Sequence, residues 1–171
     1  EVCNSTYGNN GWLGLAQIWI SGTHITGGIT KMNDTYFKTA KYNTPSWKQM
    51  VVCQEIAHTF GLDHKDEIFN NANMGSCMDY TDNPAGPPSN LQPNAHDFEQ
   101  ITAIYAHPDS ATTVGQSIFG SGHSVLGNGV NGEETAEWGK SIRTSSDGKP
   151  SLFERDLGNG LKVFTFVIWA N

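Results

Sequence analysis

Residues 44–64 read TPSWKQMVVCQEIAHTFGLDH, and this stretch determines how the middle of the chain folds. Thr44-Pro45-Ser46 is typical of a helix start, and Gly61 is a good residue to end a helix because glycine tolerates a left-handed backbone. Between these two signals the apolar residues recur at helical spacing, so the stretch predicts one helix followed by a turn. These apolar residues are Trp47, Met50, Val51, Cys53, Ile56, Ala57 and Phe60.

Strands are predicted on both sides of this helix. Two apolar runs within residues 14–31 are separated by the Ser-Gly-Thr sequence at 21–23, which indicates two strands joined by a turn. Residues 151–171 indicate a hairpin with a Gly-Asn-Gly turn at 158–160. The second arm of this hairpin is almost wholly apolar at its end, so we expect it to pack against another part of the protein.

A second helix is predicted for residues 93–105, with Asn94 as its cap. The segment 65–92 between the helices is rich in Asn, Asp, Gly and Pro and too long for a simple connector, so we expect functional or metal-linked order there. The whole pattern predicts an α+β fold with a domain at 1–110, then a Gly- and Ser-rich linker and β-hairpin extension at 111–171. The second helix carries Phe98, Ile101, Ile104 and Tyr105 on one face.

Composition and charge exclude several classes of function. The 171 residues are enough for one ordinary domain with an appendage, and no apolar run approaches the roughly 20 residues that cross a bilayer. Ten Lys and Arg against seventeen Asp and Glu give a net charge of −7, so the chain has no basic surface for phosphates. We therefore expect neither a nucleic-acid nor a membrane partner.

The cysteines and glycines are typical of a secreted protein. Three cysteines, Cys3, Cys53 and Cys77, allow one disulfide and leave one thiol, which is either free or paired elsewhere. The 19 glycines and two glycosylation triplets, at Asn4 and Asn33, fit the same extracellular location. No signal peptide opens the chain, so we expect these residues to be a trimmed piece of a longer precursor.

The chemistry is concentrated in residues 54–64, QEIAHTFGLDH. On a helix, Gln54 and His58 project from one face with Glu55 beside them, and Gly61 lets the chain turn so that His64 returns toward His58. Two imidazoles can hold a borderline-soft cation, and a nearby carboxylate can accept a proton from water that the cation activates. This pattern predicts a hydrolytic zinc site.

The same residues resemble the signature H-E-x-x-H-x-x-G-x-x-H of the metzincin zinc peptidases, with Gln54 in place of the first histidine. Residues 76–80, Ser-Cys-Met-Asp-Tyr, are similar to the methionine turn of that clan, in the form with Tyr80 that the astacin and serralysin branches have. The helix at 93–105 is similar to the last helix of the matrixin catalytic domain. The resemblance covers roughly residues 10–107.

The resemblance implies a zinc-dependent endopeptidase that acts on protein or peptide substrates. Zn²⁺ would be held by His58 and His64 with Gln54 as the third ligand, while Glu55 acts as general base and Tyr80 donates to the oxyanion. An extended substrate would pair with a sheet edge within residues 25–31. The resemblance also implies a Cys53–Cys77 disulfide beneath the metal, with Cys3 unpaired.

Two departures from the metzincin pattern leave alternatives open. Gln54 is a weaker ligand than histidine, so it either binds the metal or makes a hydrogen bond next to it, and Tyr80, Asp66 or His96 could supply a ligand instead. Only about fifty residues precede Gln54, too few for the complete core, so an upstream segment or partner chain could be involved. The C-terminal hairpin could cover the apolar surface left behind.

Other readings of the same residues are a binding module and a structural domain. A catalytically weak or inactive metzincin-like module could bind a peptide or protein, although Glu55 would then have no evident role. A metal-stabilised structural domain would more often use four Cys or His ligands. An oxygen-rich group after the motif could also bind Ca²⁺: Asp63, Asp66, Glu67, Asp79 and Asp82, with Asn70, Asn71 and Asn73.

Overall fold

Among the described residues, six strands form one mixed sheet, which contains strands from both the N-terminal and the C-terminal part of the chain. The computed structural model describes residues 1–108 and 135–171, and the linker predicted at 111–132 lies outside the described residues. The strands are β1 (Val2–Ser5), β2 (Trp12–Ser21), β3 (His24–Asn33), β4 (Lys140–Thr144), β5 (Pro150–Gly158) and β6 (Leu161–Trp169). The helices are α1 (Asp34–Phe37), α2 (Pro45–His58) and α3 (Ala95–Ile104), with a 3₁₀ turn at Thr135–Glu137.

The sheet order is β1-β3-β2-β6-β5-β4, with β1 parallel to β3 and the other pairs antiparallel. The predicted α+β class is therefore confirmed, and so are the β2–β3 and β5–β6 hairpins. Asn159 and Gly160 both have positive φ, as a two-residue hairpin turn requires. Strand β6 pairs with β2 along its length. The strands after residue 110 therefore belong to the same sheet as the strands before it.

Helix α2 packs on β2 and β3 because two glycines let it approach. A Cβ atom on Gly14 would lie 2.6 Å from Val51 Cγ1, and one on Gly28 would lie 3.0 Å from Thr59 Cβ. The helix starts as predicted, since the Thr44 side chain accepts from Trp47 N and Pro45 occupies the first turn. The helix thus lies directly against the strand that also pairs with β6.

The largest apolar cluster lies between α2, the sheet and the segment that follows α2. It comprises Leu13, Met32, Phe37, Tyr42, Trp47, Met50, Val51, Ala57, Leu62, Cys77, Met78 and Ile168. Members from β2, α2 and β6 are fully buried in it, so the C-terminal strand completes the core around the helix. This core holds α2 in place against the sheet.

Three features differ from the sequence-based expectations. The short helix α1 and strand β4 were not predicted. Helix α1 has only four residues, and β4 consists mainly of polar, exposed residues without an apolar pattern. Helix α3 has the predicted Asn94 cap, and Ile101 packs against the main cluster, but among the described residues Phe98 remains 58% exposed and Tyr105 52% exposed. Periodicity predicted the helix correctly but did not predict what lies against it.

Candidate metal centre

The end of α2 and the turn at Gly61 bring two histidines together. Gly61 N donates to the carbonyl of His58 at 2.9 Å, and Gly61 has a φ of +89°, which glycine adopts without strain. The chain then reverses, and His64 Nε2 lies 2.9 Å from His58 Nε2. The predicted return of His64 toward His58 is therefore present.

The Nδ1 nitrogen of each imidazole has a hydrogen-bond acceptor as its partner. His58 Nδ1 donates to the carbonyl of Leu62 at 2.8 Å, and His64 Nδ1 donates to Glu67 Oε1 at 2.7 Å. Because a carbonyl and a carboxylate only accept, each neutral ring carries its hydrogen on Nδ1. The two Nε2 lone pairs consequently face each other, which is the arrangement that metal-binding histidines adopt.

Gln54 contributes an amide oxygen without a partner. Its Nε2 donates to the carbonyl of Cys77 at 2.8 Å, which turns Oε1 the other way. Oε1 is buried and has no hydrogen-bond partner among the described residues. The residue is held in position by the Cys53–Cys77 disulfide, which joins α2 to the following turn and confirms the predicted pairing. Cys3 is not in a disulfide.

Glu55 is a buried carboxylate next to this group. It is 1% exposed, and within the described part of the chain neither of its oxygens has a hydrogen-bond partner. Burial raises the pKa of Glu55 well above its usual range, because a carboxylate without partners is poorly solvated there. A buried acid of raised pKa is suited to accept and return a proton.

The predicted methionine turn is hydrogen-bonded to the chain just after His64. Met78 is fully buried in the cluster around α2, and its carbonyl accepts from Lys65 N at 2.8 Å, directly after His64. Ser76 Oγ accepts from Met78 N and donates to Asp97 Oδ2 at 2.6 Å, which ties the turn to the start of α3. Asn90 Oδ1 accepts from Ser76 N. Side-chain hydrogen bonds of this kind order the long segment 65–92.

Tyr80 lies against the centre but does not face solvent. Its ring lies 4.6 Å from the His64 ring, and its hydroxyl donates to the carbonyl of Val167 in β6 at 3.0 Å. Burial, followed by the charges of Glu67 and Glu55, raises the pKa of Tyr80 well above its usual range. The hydroxyl is therefore a neutral donor that already binds a peptide carbonyl.

Glu67 accepts a hydrogen bond from the His64 ring and so orients it. The motif spacing did not predict this role. Glu67 Oε1 accepts from His64 Nδ1, and its Oε2 accepts from Ser151 Oγ at 2.6 Å. Arg143 lies 3.4 Å from Oε1 and also pairs with Asp63. Burial favours the neutral acid, but these hydrogen bonds and charges outweigh it, so the pKa of Glu67 lies below its usual range. Strands β4 and β5 thus contribute to the surroundings of His64.

The other predicted ligands do not join the centre. His96 is exposed and pairs with Glu99, and Asp66 accepts from Ile68 N and the Asn71 side chain. In the described ranges, no three side chains of the His, Cys, Asp and Glu types converge on one metal position. The predicted calcium group is divided in the same way, because Asp63 pairs with Arg143 and Asp82 lies near Lys41 at 3.8 Å.

The centre is closed in this structure. Gln54, His58 and Tyr80 are 0% exposed, and the His64 side chain is 2% exposed. Phe166 of β6 stacks on His58 with ring centroids 4.0 Å apart. The substrate edge predicted at 25–31 is wrong for its second half, since Glu1 bonds to Gly28 and Thr30, and β1 pairs with β3 from Thr30 onward.

No helix in the described ranges is long and apolar enough to cross a membrane. No protein-family model, curated protein or solved structure matches the chain, so the resemblance to metzincins depends on the motif residues alone.

Proposed function

We propose that the chain is a zinc-dependent endopeptidase whose centre is formed by α2, the turn to His64 and the turn at Met78. The observation that carries this proposal is the pair of histidine Nε2 atoms 2.9 Å apart. Since both Nδ1 atoms donate elsewhere, the two Nε2 atoms can lie this close only with a proton or a metal ion between them, and we assign this place to the metal. Imidazole nitrogens bind zinc at about 2.0–2.1 Å, so a small widening of the pair would suit a tetrahedral ion.

His58, His64 and the Gln54 amide oxygen are the residues that would hold the ion. They fit because the amide oxygen is buried and has no hydrogen-bond partner in the part of the chain that the structure describes, which is costly for a polar atom. Zn²⁺, when bound, supplies a Lewis acid that polarises a carbonyl and makes water more acidic. The Leu62 carbonyl and Glu67 keep the two rings oriented for this role.

Glu55 and Tyr80 would perform the proton transfer and the carbonyl binding. Within the described ranges neither oxygen of Glu55 has a hydrogen-bond partner, so Glu55 would be free to take a proton from the attacking water and pass it to the leaving amine. Tyr80 donates to a peptide carbonyl, which is the interaction that stabilises negative charge on that oxygen during hydrolysis. The Cys53–Cys77 disulfide fits a secreted protein, and secretion is part of this proposal.

A second candidate is a metal-binding module without catalysis. The complete burial of Glu55 and His58 favours it, because a substrate cannot reach them unless β6 moves. The two candidates share the metal and differ in whether Glu55 has a measurable effect on hydrolysis.

The test measures zinc first and proteolysis second. The purified chain should bind one zinc ion and slowly cleave an unfolded protein, and chelator should abolish the cleavage until zinc is added back. Glu55→Gln should keep the zinc and lose activity by about 10²- to 10⁴-fold, as expected for removal of a general base. His58→Ala should lose both. Zinc binding without Glu55-dependent cleavage would favour the binding module, and absence of zinc would refute both.

Gln54→His tests whether the amide is a ligand. If it is, the variant should bind zinc about tenfold or more tightly, because imidazole is the better ligand for this ion. Competition with a zinc indicator measures the change, and His96→Gln, which alters an exposed histidine, is the control. Unchanged or weaker affinity would mean that Gln54 only orients the Cys77 turn.

A further inference from the structure

We propose that strand β6 occupies the substrate cleft of this centre and that its residues 165–168 imitate the bound substrate. The substrate is then an extended peptide with aromatic and branched apolar side chains. The corresponding sequence in β6 is Thr-Phe-Val-Ile. This inference rests on the proposed function and specifies its substrate and the closed state of its site.

The first support is the position of β6 along β2. Helix α2 packs on β2 at Gly14, where Glu55 Oε1 would lie 2.9 Å from an added Cβ. The residues of β6 opposite Gly14 and Leu15 are Ile168 and Val167. An extended chain that pairs with this side of β2 therefore lies opposite Gly14, the residue on which Glu55 packs, and β6, which also pairs with β5, is the chain found there.

The second support is the bond between Tyr80 and the Val167 carbonyl. In hydrolysis the oxygen of water adds to the carbonyl carbon, the C–N bond breaks, and the nitrogen leaves as an amine with the added proton. A peptidase must therefore hold the carbonyl oxygen of the scissile bond with a donor. The Tyr80 hydroxyl holds the Val167 oxygen at 3.0 Å, so the Val167–Ile168 peptide lies where a scissile peptide is needed.

The third support is the contact of Phe166 with a predicted metal ligand. Its ring is stacked on His58 at 4.0 Å, with an interplanar angle of 12°, and lies 5.9 Å from the His64 ring. Phe166 also packs on Ala16, Ile18 and Leu152. The apolar residues of this cluster accept an aromatic side chain next to the centre, and burying a charged side chain among them would be costly. The cluster therefore selects apolar peptides.

The experiment compares two phenylalanines on the same face of β6. Phe166→Ala removes the ring that covers His58, while Phe164→Ala removes a ring two residues earlier that packs on the same cluster but does not touch the histidine. Both changes weaken packing in the same cluster, and because Phe166 is buried and Phe164 only partly buried, the free energy of unfolding is measured for both variants. Phe166→Leu keeps apolar bulk without the stacked ring and replaces Phe166→Ala if that variant does not fold.

Two readouts are made on the zinc-loaded full chain: the rate at which a chelator removes zinc, and cleavage of a peptide containing Thr-Phe-Val-Ile. A second peptide with acidic residues in place of this core measures selectivity. We expect Phe166→Ala to lose zinc about tenfold faster than wild type and Phe164→Ala, and to cleave the apolar peptide faster than both, with little cleavage of the acidic one.

The outcomes separate this inference from the function on which it rests. Equal zinc content with equal zinc-loss and cleavage rates in the two phenylalanine variants would overturn the role of β6 and leave the zinc site intact. Faster cleavage of the acidic peptide would overturn the substrate class. Absence of zinc from all the proteins would overturn the proposed function and this inference with it.

Discussion

Helix α2 and strand β6 both lie against strand β2, and they contribute to the centre in opposite ways. The helix carries Gln54, Glu55 and His58, which are the groups capable of chemistry. Strand β6 contributes only a ring stacked on His58 and a carbonyl bound to Tyr80, yet it separates those groups from solvent. Reactive groups are therefore encoded in one short segment, whereas access to them depends on a strand more than a hundred residues away.

The contrast extends to the surroundings of the histidines. The Leu62 carbonyl that orients His58 is four residues along the chain, within the same turn. Glu67, which orients His64, is itself held by Ser151 and Arg143 from the C-terminal strands. One histidine thus depends on local geometry and the other on the same distant part of the chain that covers the centre.

The largest effect is expected from Gly14→Ala, which disturbs the contact between α2 and β2. Its Cβ would overlap Val51 and Glu55, so the helix must shift, and we expect a loss of about 1–3 kcal/mol in the free energy of unfolding. Gly28→Ala, where the nearest atom is 3.0 Å away, should cost less. Chemical denaturation measures both, and equal losses would contradict a special fit at Gly14.

Glu67→Gln should weaken zinc binding about 10- to 100-fold, because a neutral amide supports the His64 ring less well than a carboxylate. Glu154→Gln is the matched control, since Glu154 pairs with Lys162 in the same sheet and does not contact the histidines. Competition with a zinc indicator gives both affinities. If the two variants bind zinc equally, the C-terminal strands cover the centre without supporting it.

The smallest effect concerns Asp79, in the methionine turn. Burial, together with the negative charge of Asp66, raises the pKa of Asp79 to about 6, against the hydrogen bonds from Met74 N and Asn90. An acid with a raised folded pKa stabilises the fold at pH below its unfolded value near 4, and this contribution is lost as pH rises through about 6.

Asp79→Asn should therefore be more stable than wild type at pH 7 by about 1–2 kcal/mol, with the difference vanishing near pH 4. Denaturation of the zinc-free proteins at several pH values measures it. Asp82→Asn, which changes an exposed aspartate, should show no such trend. A difference that is the same at pH 4 and pH 7 would mean that Asp79 is ionised throughout.

Much of the local structure could be predicted from the sequence. Thr44, Asn94 and Gly61 begin or end helices through hydrogen bonds and φ values that involve only neighbouring residues. The convergence of His58 and His64 follows from the same local rules, because the two residues are six positions apart with one glycine turn between them. The Cys53–Cys77 pairing followed from the resemblance and not from spacing.

The sequence alone thus determined which residues are candidates for the centre and which turns bring neighbours together, since backbone hydrogen bonding over a few residues decides the turns. Only the tertiary structure decided that β6 pairs with β2, that Arg143 and Ser151 reach Glu67, and that α3 leaves Phe98 exposed. An apolar strand such as β6 carries no mark of its partner, because strand pairing depends on register and packing between segments distant in the chain.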